Sequence, residues 1–366
     1  MSQAAPAPGE RHVAPIALAG RTVAGLARAL VTPLLPGDYL DLFHPMRKGA
    51  DLRGRVVDVV RQSLTATTVT IRPGRGWRGH RPGQYIRIGV EVNGVRLWRA
   101  YSITSPVDQP DGLITITVRA IPEGKVSNHV LRNLHPGTVV MLDQATGDFT
   151  QPTATPAKVL FLTAGSGITP VMGMLRNHRF DDAVLVHSSP DPAQMLFADE
   201  LRHRASKGEF RLVERFTSTE GTLAVSDIAG VVPDWTERAA WVCGPTGLLD
   251  DAEAHWSDAD LSELLHVERF RPRIMAEGDG GAVTFTQSEI VVDAPAATPL
   301  LDVGEDAGVL MPSGCRMGIC FNCVASLTSG AVRDLRTGET TQAIDEDPVL
   351  IQTCVSAAAG PCSIKL

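Results

Sequence analysis

The chain has 366 residues, of which 43% are hydrophobic, and its mean hydropathy is near zero. A chain of this length exceeds one ordinary hydrophobic core, so we expect two or three globular domains, and the composition excludes a disordered or membrane-embedded protein. The net charge of −7 is unevenly spread, because residues 1–99 carry 15 Lys and Arg against 6 Asp and Glu, whereas residues 275–366 carry 4 against 12. This uneven charge distribution argues against nucleic acid as the main partner and suits an acidic C-terminal module that docks on a positive surface.

The most apolar stretch of the chain is residues 14–35, which Arg21 and Arg28 interrupt. Because no run of about 20 apolar residues is uninterrupted, we expect no membrane span and interpret this stretch as an amphipathic helix in an N-terminal extension, residues 1–52. The cysteine usage favours a reducing compartment. We therefore expect a monomeric, cytoplasmic protein, with any peripheral position at the inner face of the membrane arising through its partner.

Residues 53–152 contain short alternating runs rich in Val, Ile and Thr, namely VVDVV, TATTVTIR, GQYIRIGVEV, VRLWRAYSIT and LITITVRAI. Several short strands at this spacing predict an antiparallel β-barrel. The segment SNHVLRNL, residues 127–134, predicts one helix within the barrel.

Residues 153–274 alternate between apolar strands and helical stretches, as in KVLFLTAG followed by ITPVMGMLRNH, and AAWVCGP followed by TGLLDDAEAHW. This alternation predicts an α/β domain with a parallel sheet and helices on both faces. The Gly-rich segment 275–283 is typical of a linker on which the following domain swings. Residues 284–366 predict a third, α+β domain with an opening hairpin, a helix in TPLLDVGEDAG and a cysteine-rich segment.

Three of the six cysteines lie in the segment CRMGICFNC, and a fourth follows thirty residues later. The C-x4-C-x2-C spacing with a distant fourth cysteine is that of a plant-type [2Fe–2S] cluster, in which four thiolates bind two irons. Zinc is the alternative, although structural zinc sites usually use two pairs of closely spaced cysteines, C-x2–4-C, and only one short pair is present. A set of disulfides fits less well. Cys362 falls outside the spacing and is expected to be a buried thiol. The predicted iron ligands are Cys315, Cys320, Cys323 and Cys354.

The tetrapeptide RAYS ends a predicted strand of the barrel and has the groups that a flavin needs. Arg99 offers a cation for phosphate, Tyr101 a flat ring, and Ser102 a hydroxyl near the redox-active nitrogen. The segment GKVSNHVL opens a helix whose free N–H groups suit a pyrophosphate, which favours FAD over FMN, although Ser127 is equally well explained as an N-cap. Phe149 in TGDF is a candidate to cover the adenine. The candidate phosphate-binding residues are Gly124, Lys125, Val126 and Ser127.

The segment TAGSGITP lies between a buried strand and a helix, where a diphosphate binds the helix N-terminus. VCGPTG ends another strand at the same sheet edge, and its Cys243 is either functional or simply a small buried residue. No Asp or Glu stands at the tip of the strand that ends in Ser188 and Ser189, and Arg211 or Arg215 could accept a 2′-phosphate, so NADPH is favoured over NADH. The candidate nucleotide-binding residues are Thr163, Gly165, Gly167, Thr169, Pro170, Ser188, Ser189, Gly244 and Pro245.

RAYS, GKVS, TAGSGITP, VCGP and the cysteine segment, in this order over residues 53–366, resemble the ferredoxin–NADP+ reductase superfamily, and specifically oxygenase reductases with a C-terminal plant-type ferredoxin. The resemblance implies a β-grasp-like ferredoxin domain. It also implies that Glu268 and Phe270, in HVERF, lie near the flavin and the nicotinamide, with Phe270 a candidate to cover the flavin face. The candidate catalytic residues are Ser102, Cys243 and Glu268.

A nicotinamide gives up two electrons as hydride, a [2Fe–2S] cluster takes one at a time, and a flavin does both. The expected function is therefore electron transfer from NAD(P)H through FAD and the cluster to an oxygenase, a hydroxylase or a fatty acyl desaturase. Extensions similar to residues 1–52 occur in reductases that serve membrane di-iron desaturases or hydroxylases. The alternatives are a reductase that passes electrons directly to a small molecule and a cluster-based redox sensor.

Overall fold

The computed structural model describes residues 43–366 except 45, 48, 93, 123, 152–155, 271–275 and 344–348. The helix predicted over residues 14–35 lies outside these described residues. Three β-sheets, each with its own hydrophobic core, organise the rest of the chain. None of the helices in the described part of the chain is long and apolar enough to cross a membrane.

The first sheet is antiparallel throughout and has the strand order β4-β3-β6-β1-β2-β5. A bridge between Ile103 and Ile116 brings the two edges together, so the sheet closes into the predicted barrel. Alternate Val, Ile and Leu side chains fill its interior, because successive strand residues point to opposite faces. Its elements are β1 (Arg53–Ser63), β2 (Ala66–Pro73), β3 (Tyr85–Val92), β4 (Val95–Ser102), β5 (Ile114–Arg119), α1 (Lys125–Asn133) and β6 (Val139–Leu142).

The second sheet is parallel, with the order β11-β10-β7-β8-β9. Phe161 belongs to the core on one face, and its neighbours Leu160 and Leu162 belong to the core on the other, so both faces are covered as predicted. The strands at the two edges, β9 and β11, were not recognised from the sequence. The elements are β7 (Lys158–Ala164), α2 (Ile168–Asn177), β8 (Asp182–Ser189), α3 (Ala198–Ser206), β9 (Arg211–Phe216), α4 (Thr217–Glu220), α5 (Ile228–Val231), β10 (Ala239–Cys243), α6 (Thr246–Asp258) and β11 (Leu265–Glu268).

The third sheet is mixed, with the order β13-β12-β17-β14-β15 and β16 paired to β14. The predicted hairpin and helix are both present. The elements are β12 (Gly281–Phe285), β13 (Ile290–Ala294), α7 (Leu300–Asp306), β14 (Val324–Asp334), β15 (Thr340–Gln342), β16 (Val349–Gln352) and β17 (Ser356–Lys365).

The segment predicted as a linker differs from the expectation. The amides of Ala276, Gly278 and Gly280 donate hydrogen bonds to backbone carbonyls of the third sheet's unit, at 2.7–3.2 Å, and β12 begins at Gly281. The described part of this segment is therefore part of the folded C-terminal unit, because its glycines allow close backbone pairing as readily as they allow freedom.

Helix α2 of the parallel sheet packs directly on the barrel, just beyond the end of β4. Arg176 Nη1 donates to the carbonyl of Thr104 at 2.7 Å, and Asn177 Oδ1 accepts from the amide of Val107 at 2.7 Å. A Cβ on Gly173 would lie 2.5 Å from the carbonyl oxygen of Ile103, so only glycine permits this approach. The contact brings the nucleotide-binding turn before α2 close to the RAYS strand.

Candidate active site

The RAYS strand, β4, ends at Ser102, which is 5% exposed, while Arg99 and Tyr101 are half-buried. Tyr101 packs against the barrel core, and burial raises the pKa of its hydroxyl. On the neighbouring strand β3, Tyr85 pairs directly with Ser102. The ends of β3 and β4 thus bring the Ser102 hydroxyl beside Tyr85, with Tyr101 on the opposite face of β4.

Helix α1 begins at Lys125, with Gly124 as its N-cap, and no described side chain caps it. Ser127 is not the N-cap that the sequence allowed; it lies in the first turn, where its hydroxyl donates to the carbonyl of Gly124 and accepts from the amide of Ile121, both at 3.3 Å. A Cβ on Gly124 would lie 2.5 Å from the Ser127 hydroxyl. A small residue is therefore required where the backbone would approach a phosphate.

Arg99 and Lys125 converge on Glu305, in the last turn of helix α7 of the C-terminal unit. Lys125 Nζ donates to the carbonyl of Glu305 at 3.0 Å, and Arg99 Nη2 lies 4.0 Å from its Oε2. Burial, together with the nearby Arg316, lowers the pKa of Arg99 to about 10. Two cations beside an uncapped helix start fit the diphosphate of FAD.

The two predicted aromatic covers lie in different environments. Phe149 is 6% exposed and packs in the core with Val159 and Met174. This burial argues against the role of covering an adenine, because the ring is occupied by the contact between the barrel and the parallel sheet. Phe270 is 42% exposed, as a residue that covers a flavin face requires.

The nucleotide edge of the parallel sheet is formed by the ends of β7 and β10, where Thr163 pairs with Cys243. Gly165 has a φ of +57°, and Gly167 packs so closely on the next loop that an added Cβ would lie 2.8 Å from the amide of Gly244. The turn and the VCGP loop therefore form one glycine-lined edge at the N-terminus of α2, as a dinucleotide site needs. Thr169 and Pro170 lie in the first turn of this helix, where Thr169 Oγ1 donates to the carbonyl of Ser166 at 2.9 Å.

Cys243 is fully buried, and burial raises the pKa of its thiol well above the usual value. This favours the structural interpretation of Cys243, since a thiol of this kind is not a thiolate at neutral pH. Thr163 is also fully buried, and its hydroxyl lies 2.8 Å from Nδ1 of His187. Burial lowers the pKa of His187 to about 4 and keeps it neutral. Thr163 and His187 therefore stabilise the nucleotide edge from within the sheet.

At the ribose end, Ser188 is half-buried, whereas Ser189 is 2% exposed and its hydroxyl donates to the carbonyl of Asp191 at 3.1 Å. Of the two candidate arginines, Arg215 pairs with Ser188 at the carboxyl edge. Arg211 pairs with Val184, near the other end of β8, and is therefore the wrong choice for a 2′-phosphate.

Arg119, the last residue of β5, is not among the residues predicted from the sequence, yet its side chain reaches from the barrel to the nucleotide edge. Its Nη2 donates to the carbonyl of Gln194, and Nη1 lies 3.4 Å from the position of a Cβ on Gly165. Burial lowers its pKa. A cation held over this turn adds to the positive potential that favours a diphosphate. The feature of the sequence that could have identified Arg119 is its place at a strand end, between the RAYS and GKVS motifs.

Glu268 ends β11 beside Cys243 and is 9% exposed. Burial and the nearby Asp148 raise the pKa of its carboxyl to about 8. Within the described part of the chain, its Oε2 has no hydrogen-bond partner. A buried carboxyl that is protonated at neutral pH and lacks a partner fits a group that meets a cofactor or moves a proton.

The four predicted cluster cysteines are arranged as two pairs. Cys323 Sγ and Cys354 Sγ lie 3.2 Å apart, and the amide of Cys315 donates to Cys320 Sγ at 3.2 Å. The hydrogen bond with Cys354 lowers the pKa of Cys323 to about 6, toward the thiolate that binds iron. Among the described residues no three His, Cys, Asp or Glu side chains converge on a single metal position. Two thiol pairs fit a cluster of two irons.

Cys362 lies outside these pairs. It is 3% exposed in the core of the C-terminal unit, as expected for a structural thiol. Burial raises the pKa of Cys362 to about 11.

Tyr85 lies where the three units meet. Its pKa is raised to about 12, first by burial and then by the charges of Cys315 and Glu268. The first cysteine pair, the buried carboxyl of the parallel sheet and the end of the flavin strand therefore lie within electrostatic reach of one hydroxyl. Only the tertiary structure brings them together.

Two family models match the chain: an oxidoreductase FAD-binding domain over residues 75–151 and a 2Fe-2S iron-sulfur cluster binding domain over residues 283–359. An NADPH oxidoreductase of Mycobacterium tuberculosis is 45% identical over 350 residues, which cover 93% of this chain and 91% of that protein. The NADH oxidoreductase HCR of Escherichia coli is 31% identical and covers 75% of this chain and 86% of its own. A glycine betaine monooxygenase reductase subunit of Chromohalobacter salexigens is 28% identical, covering 75% and 84%.

Among solved structures, phthalate dioxygenase reductase has a similar fold, with a TM-score of 0.58 at 22% identity, over 86% of this chain and 97% of that one. The chain therefore belongs to the ferredoxin–NADP+ reductase superfamily, and within it to the reductases with a C-terminal [2Fe–2S] ferredoxin domain. It is an NAD(P)H oxidoreductase that uses FAD and a [2Fe–2S] cluster. The predicted fold class and cofactors are thus confirmed.

Proposed function

We propose that this reductase takes hydride from NADPH at the edge formed by β7 and β10 and delivers single electrons to a separate oxygenase, hydroxylase or fatty acyl desaturase. The contact between Arg87 of the barrel and Cys320 of the ferredoxin, at 3.5 Å, carries the proposal. In this contact a predicted cluster ligand lies against the flavin-binding unit, as one-electron transfer between the two groups requires. The flavin supplies the exchange between a hydride and single electrons.

The chain's own residues bind and orient. In this proposal Arg99, Lys125 and the start of α1 hold the FAD phosphates, and Ser102 donates a hydrogen bond near the redox-active nitrogen. Glu268 is the adjacent group that keeps a proton at neutral pH. Phe270 covers the exposed ring face until the nicotinamide replaces it.

The preference for NADPH is supported by two observations. Arg215 pairs with Ser188 in the sheet at the ribose end, where its guanidinium group donates to the carbonyls of Gly221 and Glu220 at 2.9 and 2.6 Å. The nearest carboxylate in sequence, that of Asp191, accepts hydrogen bonds from the amide and Nε2 of Gln194 at 3.0 and 2.7 Å, so it is engaged within its own turn. A free ribose hydroxyl lacks the acidic partner that NADH-specific sites use. The 45% identical relative carries the name NADPH oxidoreductase.

A separate protein acceptor is supported by several relatives that are named as reductase subunits or components of oxygenases. Residues 275–366 carry four basic against twelve acidic side chains, which suits a basic docking surface on the acceptor. In this proposal the N-terminal extension, residues 1–52, serves a membrane-bound acceptor. The proposed domains are residues 53–152 for FAD, 153–274 for NADPH and 276–366 for the cluster, the last including the segment that was expected to be a linker.

Anaerobic titration of the holoprotein with NADPH tests the proposal. We expect flavin absorbance to bleach first and cluster absorbance to follow, with the reduced cluster seen by electron paramagnetic resonance. Reduced flavin beside a cluster that stays oxidised would contradict the proposal and would favour direct transfer to a small molecule. Pull-down with the intact chain then identifies the acceptor.

A further inference from the structure

Arg87 lies on strand β3 of the barrel, yet its guanidinium group contacts the cluster loop of the ferredoxin. The side chain is 13% exposed. Its Nη1 donates to Cys320 Sγ at 3.5 Å, and its Nη2 forms an ion pair with Asp143 of the barrel. Its Cζ lies 5.8 Å from the ring centroid of Trp98, which fixes the side chain from the barrel side.

The cluster loop is shaped to receive this side chain. In the amide orientation of Asn322 that satisfies its neighbours, the nitrogen donates to the carbonyl of Cys320 at 3.0 Å and the oxygen accepts from both Nη1 and Nη2 of Arg87 at 2.9 Å. A Cβ on Gly314 would overlap Nη1. A glycine, an amide acceptor and a thiolate ligand therefore surround one guanidinium, which makes this a built contact between the two units.

We propose that Arg87 is a positioning residue for the cluster, one that makes it easier to reduce while the ferredoxin is docked on the barrel. Reduction adds one electron to the cluster, breaks no bond and makes the group one unit more negative. A guanidinium that donates to a ligand sulfur favours the more negative form, because hydrogen bonds and charges at the sulfurs set the potential of such clusters. This inference rests on the proposed function, in which the cluster receives electrons from the flavin.

The effect is tied to docking because Arg87 belongs to the other unit. Arg336 is the contrasting case: it lies within the ferredoxin, where its Nη1 donates to the carbonyl of Gly318 at 3.2 Å, and it accompanies the cluster wherever the ferredoxin moves. By linkage, if docking through Arg87 favours the reduced cluster, reduction strengthens docking by the same factor. Electron entry and docking are thus coupled through one side chain.

The test is a mediated redox titration of the full-length holoprotein, followed by electron paramagnetic resonance, with dithionite as the reductant. We expect the midpoint potential of Arg87→Gln to shift to a more negative value, and Arg87→Lys to retain most of the wild-type potential. Arg96→Gln, which removes an exposed charge from the neighbouring strand β4, is the matched control and should not shift the potential. Equal potentials for the wild type and Arg87→Gln overturn the proposal.

Asp143→Asn separates a direct effect from a structural one. This variant removes the ion pair that anchors Arg87 in the barrel but leaves the guanidinium beside Cys320. We expect no negative shift. An equal negative shift in Asp143→Asn and Arg87→Gln would mean that loss of the barrel anchor is the cause, and would overturn the proposal. Because dithionite bypasses NADPH, a cluster that NADPH fails to reduce would contradict the proposed function and leave these potentials measurable.

Discussion

Lys125 of the barrel and Asp306 of the ferredoxin form an ion pair, with Lys125 Nζ 3.1 Å from Asp306 Oδ1. The same lysine opens the helix that is proposed to hold the FAD phosphates. The acidic end of α7 therefore interacts with the same cations that are proposed to bind the FAD phosphates. Ferredoxin docking and FAD binding therefore use neighbouring groups on this surface, and single substitutions can affect one without the other.

Asp306→Asn removes the ferredoxin side of this pair and leaves the cation. Because both side chains are largely exposed, with 41% and 74% of their surfaces accessible, the pair contributes at most about 1 kcal/mol. We expect FAD affinity to be unchanged or slightly higher and the flavin-to-cluster rate to fall by less than about tenfold. Lys125→Gln should instead weaken FAD binding. Fluorescence titration of FAD into the deflavinated protein distinguishes the two, and weaker FAD binding in Asp306→Asn would contradict the shared-cation interpretation.

Arg99→Gln should release FAD more easily, because it removes a charge-assisted hydrogen bond to phosphate worth about 2 kcal/mol, or roughly 30-fold in Kd. Arg96→Gln, three residues earlier and exposed, is the matched control and should bind FAD as the wild type does. Ultrafiltration followed by flavin absorbance measures the loss. Equal retention of FAD in the two variants would remove Arg99 from the binding site.

Glu268 predicts a pH dependence of stability. Its pKa in the folded protein, about 8, lies above the ordinary glutamate pKa of 4.5, so between these pH values the unfolded chain has lost a proton that the folded chain keeps. The group therefore lowers the free energy of unfolding as pH rises from about 4.5 to 8, by at most about 1.4 kcal/mol per pH unit. In Glu268→Gln this dependence is absent. Thermal unfolding at pH 5.5 and 8 should show the variant gaining stability relative to the wild type at the higher pH; a constant difference would contradict the raised pKa.

Arg215→Gln should raise the KM for NADPH by about 10- to 100-fold, the value of one charge-assisted contact to a 2′-phosphate, and leave the KM for NADH nearly unchanged. Arg211→Gln is the control, since Arg211 lies near the opposite end of the same strand. Steady-state reduction of ferricyanide with each nucleotide is the measurement. A similar increase in KM for both nucleotides would assign Arg215 to general support of the sheet edge.

Cys354→Ser should abolish the visible absorbance and the paramagnetic signal of the cluster, because it removes one of four thiolates. Cys362→Ala should keep both at full occupancy and cost about 1 kcal/mol of stability through the small cavity it leaves in the C-terminal core. Iron analysis of the purified variants checks the result. Loss of iron in Cys362→Ala would place this cysteine in the cluster site.

The parts of this protein whose chemistry is local can be predicted from the amino-acid sequence. The C-x4-C-x2-C spacing and the strand–turn–helix context of TAGSGITP specify a cluster loop and a diphosphate turn, because each needs particular residues within a few positions of one another. Alternating and continuous apolar runs likewise predicted the antiparallel barrel and the parallel sheet, since burial on one face or two imposes those patterns. The edge strands β9, RLVERF, and β11, LHVE, are short and mix polar with apolar residues, so the sequence does not predict them.

Which of the candidate residues meet depends on how the three units pack together. Phe149 is a candidate binding residue from the sequence, yet packing places it in the core, whereas Ser127 lies in the first turn of α1, where a phosphate-binding role stays a prediction. Conversely, Arg119 and Arg87 belong to no local motif, and their roles arise because folding carries them across to another unit. Charge and burial act through space, so a residue that works between two units leaves little trace in the sequence around it.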